Sequence, residues 1–111
     1  MTKNVQIEGS KITDWGSFHD LFSKTLGFPA FYGRNMNAWN DCMTSLDAPT
    51  DGLSTVHVAS GDVLVLCISG ATDLKKRCPE IYEALVECSA FVNYRRIEMG
   101  EQAILAVSFY G

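Results

Sequence analysis

Between Arg34 and Lys75 the sequence has no lysine and no arginine, while Asp41, Asp47, Asp51, Asp62 and Asp73 all fall inside that stretch. A surface built from it carries a local negative field and attracts a cationic partner. Basic residues are scarce overall: 9 Lys and Arg stand against 13 Asp and Glu, giving a formal charge of −4. Binding to a phosphate backbone needs a clustered excess of cations, so direct nucleic-acid contact is not expected. No apolar run is long enough to cross a bilayer, and none follows the opening Met1-Thr2-Lys3-Asn4-Val5-Gln6. The expectation is a cytoplasmic protein with no signal peptide and no membrane contact.

Chemistry-bearing patterns are equally sparse. Cys42, Cys67, Cys78 and Cys88 lie ten or more residues apart, without a Cys-x-x-Cys pair or a nearby His pair. They read as reduced, mostly buried thiols, and no metal site is expected. Gly33 and Gly61 belong to neither a dinucleotide fingerprint nor a phosphate-binding loop, so no cofactor is expected. The two histidines, His19 on an amphipathic helix and His57 in an apolar-rich strand, have no Ser, Cys or carboxylate at catalytic spacing. Structural roles fit both, and an enzyme is not expected.

What is present is enough apolar content, 47% of 111 residues, for the core of a single domain spanning 1–111. Val5 and Ile7 predict a short opening strand. Thr13 or Asp14 then caps a helix to about Leu26, whose core face is Phe18, Leu21, Phe22 and Leu26. Gly27 suits its C-terminal cap, and Pro29 forces a loop through Gly33. Asn35 can cap a second helix to about Leu46, with Met36, Trp39, Met43 and Leu46 as its apolar stripe. After a loop from Asp47 to Gly52 come two apolar runs, Val56 to Ala59 and Asp62 to Ser69. The second lacks polar alternation and reads as a central strand covered on both faces; the first could supply a short extra strand. Asp73 to Cys78 can form a short helix, and Pro79 opens a longer one to about Arg95 with Ile81, Leu85, Cys88 and Val92 on one face. Ala103 to Tyr110 reads as a last buried strand. The order β-α-α-β-α-β implies an α/β fold: a small, mostly parallel three-stranded sheet packed with helices.

The second helix is the most informative element. Asn37, Asn40, Asp41 and Thr44 recur at spacings of three and four, predicting one exposed polar face. Cys42, one residue beyond Asp41, points more toward the core. Lys75-Lys76-Arg77 reads as a solvated helix end, and Arg95-Arg96 as cations attracted to a helix C-terminus. Periodicity leaves Tyr82, Phe91 and Tyr94 open between core and rim.

The loop and helix together read Phe28-Pro29-Ala30-Phe31-Tyr32-Gly33-Arg34-Asn35-Met36-Asn37-Ala38-Trp39-Asn40-Asp41-Cys42-Met43-Thr44. This segment resembles the signature of the barstar family: an apolar residue and Pro, an aromatic pair ending in Tyr32-Gly33, then Asn35, Ala38, Asp41-Cys42 and Thr44. The resemblance implies a small α/β inhibitor that binds one to one and blocks the active site of a basic, barnase-like ribonuclease. Asp41 would take the place of an RNA phosphate. The charge-driven interface with a dominant aspartate hot spot comes with that resemblance, since it is the known pattern of the barnase–barstar pair. Implied contact residues are Phe31, Tyr32, Gly33, Asn35, Asn37, Asn40, Asp41 and Thr44, and one of Glu80, Glu83 or Glu87 could add a secondary contact.

Three positions depart from the best-known member. Asn37 stands in place of a second carboxylate, Asn40 in place of Trp, and Phe31 in place of a contacting Tyr. Trp39 cannot substitute for the missing Trp, because one residue rotates a side chain by about 100° around a helix. The alternative consistent with these losses is a protein-interaction module of the same fold with a non-nuclease partner.

Overall fold

A computed structural model describes residues 2–111. The chain runs β1 (Thr2–Glu8), a single 3-10 turn, α1 (Trp15–Leu26), α2 (Met36–Thr44), a second 3-10 turn, β2 (Val63–Ser69), α3 (Ala71–Arg77), α4 (Pro79–Glu98) and β3 (Leu105–Phe109). Among the described residues the strands form one parallel sheet in the order β1-β2-β3, and with four α-helices they make an α/β fold. Among the described residues no helix is long and apolar enough to cross a membrane.

Helix boundaries follow local chemistry. Asp14 caps α1 by accepting from the Ser17 amide at 2.8 Å, while Ser17 Oγ accepts from the Asp14 amide at 3.0 Å. Two otherwise unpaired donors are satisfied reciprocally. Gly27 ends α1 with φ +67°, and a Cβ there would run into the Thr55 side chain. Asn35 caps α2, and Pro79 opens α4 where its missing N–H costs nothing.

The core lies on one side of the sheet. Val5 and Ile7 of β1, Leu64, Leu66 and Ile68 of β2, and Leu105 of β3 meet Phe18, Phe22 and Leu26 of α1, Trp39 and Met43 of α2, Leu74 of α3, and Ile81, Leu85 and Val92 of α4. Burying each large apolar side chain contributes roughly 1.5–3 kcal/mol. Leu21 and Met36 pack against this cluster only partly buried.

The second sheet face corrects two expectations. Instead of being covered, Val65 and Cys67 are half-buried, and their registered neighbours Asn4, Gln6, Ala106 and Ser108 are exposed. The unbroken apolar run of β2 had hidden an alternation that its neighbours display openly. β3 is likewise a half-open edge strand rather than a buried one.

Residues 56–59 form no strand. Thr55 and Val56 donate to Leu26 O, and Val58 donates to Leu46 O, so the segment seals the end of α1 and the turn that follows α2, and His57 lies in irregular chain. Of the four free cysteines only Cys42 is fully buried, which also departs from the expectation. Burial, then the neighbouring Asp41 charge, pushes the Cys42 thiol up to about 11.

Candidate partner-binding surface

The loop before α2 is anchored by aromatic packing. Phe28 is buried against Tyr32, ring centroids 4.8 Å apart, and Tyr32 N donates to Pro29 O at 2.9 Å to close a turn. The Tyr32 hydroxyl lies 2.6 Å from His19 Nδ1 in a buried hydrogen bond. Burial raises the Tyr32 phenol above its usual range and, with the Arg34 charge second, lowers His19. Tyr32 therefore belongs to the core, while Phe31, one residue earlier, is 76% exposed.

Among the described residues Arg34 is the non-glycine residue with positive φ, +54°, a conformation that costs about 1–2 kcal/mol. Its side chain holds the loop to α1 through Asp20 at 2.6 Å and Gly16 O at 3.2 Å. The adjacent Asn35 spends both polar atoms locally: Oδ1 accepts from Ala38 N at 2.8 Å and Nδ2 donates to Gly33 O at 3.2 Å. A Cβ on Gly33 would sit 3.3 Å from Asn35 Nδ2 and crowd that cap.

On α2 the expected polar face splits. Asn37 and Asp41 are exposed, but Asn40 is buried with Oδ1 unpartnered, so its place on the outer face must be corrected. It turns toward Cys88 of α4, whose thiol is raised by burial and lowered by the Asn40 side chain. Thr44 is half-buried and saturated. Its hydroxyl donates to Asn40 O at 2.6 Å and accepts from Arg95 Nη2 at 2.6 Å and Nε at 3.1 Å. Phe31, Gly33, Asn35, Asn37 and Asp41 are exposed, and of these Phe31, Gly33 and Asp41 border one opening. A cleft of about 220 Å³ opens here, lined by Pro29, Phe31, Tyr32, Gly33, Asp41 and Leu53 among others.

The uniform acidity expected of this region does not survive in space. Arg95 Nη2 donates to Asp41 Oδ1 at 2.9 Å, and Arg96 holds Asp47 with two bonds of 3.1 and 2.8 Å. Arg77 pairs with Asp73. Nor do Arg95 and Arg96 serve only the end of their own helix: Arg95 donates to Asn40 O, one turn before the end of α2, and Arg96 to Thr44 O, its last carbonyl. Sequence reading missed Arg95 and Leu53 as neighbours of Asp41. Both stand far along the chain, and no spacing rule links them to α2.

These features define a helix-over-sheet α/β domain whose distinctive surface is a polar helix, its preceding aromatic loop and a cleft beside one exposed carboxylate. The described residues hold no group of His, Cys, Asp and Glu able to bind a metal ion. The sequence model of the family described as Barstar (barnase inhibitor) matches residues 2–104, and the chain belongs to the barstar family. Members of that family are inhibitors rather than enzymes, and membership implies a ribonuclease-inhibitor type of function with a ribonuclease as protein partner. No curated protein matches the chain.

Proposed function

We propose that the chain, acting as one domain in the cytoplasm, is an immunity-type inhibitor that binds one to one to a basic ribonuclease. The loop before α2 and α2 itself enter the enzyme's cationic active site, and Asp41 stands where an RNA phosphate would. The observation that carries this reading is Asp41 at the rim of the cleft: it is 65% exposed, and Oδ2 makes no hydrogen bond to a described residue. Phe31, Gly33, Asn35 and Asn37 supply the surrounding contact surface. Tyr32, Asn40 and Thr44 support it from within.

Inhibition of barnase and of other basic ribonucleases, measured with wild-type protein and the Asp41→Ala variant, tests the proposal. Strong inhibition that weakens at least about 30-fold in the variant supports it, since a buried hot-spot aspartate is worth about 2 kcal/mol or more. Equal inhibition by both proteins rejects the phosphate-mimic role.

The neutral Asn37 and the Asp41–Arg95 pair favour a second reading, an interaction module with a non-nuclease partner. The two readings differ in salt response. Association with a cationic active site slows clearly as ionic strength rises, whereas docking through an apolar surface changes little.

A further inference from the structure

The exposed carboxylate of α2 has a cation fixed beside it. Arg95 reaches across from α4 and donates through Nη2 to Asp41 Oδ1, Asn40 O and Thr44 Oγ1, and through Nε to Thr44 Oγ1. Its guanidinium carbon lies 5.6 Å from the centre of the Phe91 ring. The group is thus gripped along its Nε–Nη2 edge and steadied by an aromatic face, while Nη1 donates to no described residue. Its side chain remains 29% exposed. A planar cation held on one edge has already lost most of its rotamer freedom, so a new bond on the free edge carries little further entropy cost.

We propose, building on the inhibitor reading above, that Asp41 and Arg95 form a two-signed docking element whose cognate ribonuclease sets a cation against Asp41 Oδ2 and a carboxylate against Arg95 Nη1. A site that holds RNA phosphate supplies the cation. The carboxylate is a specificity requirement, because an enzyme surface of uniformly positive charge would place like charge against Arg95. The nearby Asn37 is neutral and offers no second anion to offset that repulsion. The partner selected is a basic ribonuclease with an acidic residue bordering its phosphate-binding cations.

The competing account is that Arg95 only clamps the final turn of α2 through Asn40 O and the Thr44 hydroxyl. Binding of the wild-type chain, Arg95→Gln and Arg95→Glu to barnase, and to barnase variants with each basic residue bordering the active site changed singly to Glu, separates the two. Thermal melting of each chain reports the clamp. Arg95→Glu should bind unmodified barnase at least about fivefold more tightly than wild type, with Arg95→Gln between them, even though neither melts higher. At least one Glu-bearing barnase should reverse that order. Arg95→Gln keeps the test decisive if the Glu variant fails to fold. Variants that bind unmodified barnase no better than wild type overturn the inference while leaving Asp41-dependent inhibition intact, and a gain without any reversal overturns the carboxylate requirement. If no form of the chain binds any form of barnase, the inhibitor reading and this inference fall together.

Discussion

Arg95 and Arg96 are neighbours in the chain, yet each holds an aspartate of the α2 region in a different medium. In the Arg96–Asp47 pair the side chains are 5% and 13% exposed, and Arg96 also donates to Thr44 O and Gln102 O. In the Arg95–Asp41 pair they are 29% and 65% exposed, and one oxygen of Asp41 is left without a protein donor. A buried pair tied into further hydrogen bonds is a latch: breaking it leaves a charge stranded in a poor solvent. An exposed pair is weak and exchangeable, because water and salt screen it and a partner's charge can replace one member. Adjacent residues thus divide the labour between holding α2 in place and leaving its carboxylate open to exchange.

The largest effect expected is on the latch. Arg96→Met should lower unfolding free energy by about 3 kcal/mol in urea titrations, because Asp47 loses its counter-charge and Thr44 O its donor. A loss below about 1 kcal/mol would erase the distinction between the two pairs. Next comes binding at the open pair: Asp41→Ala should weaken ribonuclease affinity by about 2 kcal/mol or more, yet change stability by less than about 1 kcal/mol. A smaller loss is expected beneath the loop. Tyr32→Phe removes the buried bond to His19 and should cost about 1 kcal/mol of stability, with ribonuclease affinity following only through the loop's order.

The smallest effect concerns pH. Burial, reinforced by Arg34, holds the folded pKa of His19 below its ordinary value of 6.5. The unfolded chain then binds more protons than the folded one in that range, so stability from this group is complete above about pH 6.5 and declines as pH falls toward the folded pKa. Urea midpoints between about pH 7.5 and 5.5 should show a shallow fall; a rise over that interval would contradict the buried neutral imidazole.

The contrast between the two pairs also explains what could be read from sequence. Asn35, Gly27 and Pro79 mark boundaries through their own chemistry, as cap acceptor, left-handed backbone and first-turn residue, and the structure agrees at all three. The end of α2 was less legible. It stops at Thr44 rather than near Leu46, where Arg96 from a distant helix takes Thr44 O, its last carbonyl, and Ser45 N turns back to Cys42 O. Asn40 looked solvent-facing because its polarity outweighed an angular position between Met43 and Thr44, on the side of α2 that turns toward Cys88 of α4. Asp41 looked unpaired because Arg95 is 54 residues away and its partner can be found only in space. The half-open sheet face was visible in the alternation of Asn4, Val5, Gln6 and Ile7, but the apolar run of β2 concealed it.

The most direct test of the account is calorimetric titration of a basic ribonuclease with two variants of equal chemical change, Asp41→Ala and Asp47→Ala, each with its melting curve. The prediction is a crossing: Asp41→Ala stays near wild-type stability and loses at least about 30-fold in affinity, while Asp47→Ala loses stability and, where folded, retains most of its affinity. Wild-type affinity in a folded Asp41→Ala protein would contradict the claim that this carboxylate is the centre of the binding surface.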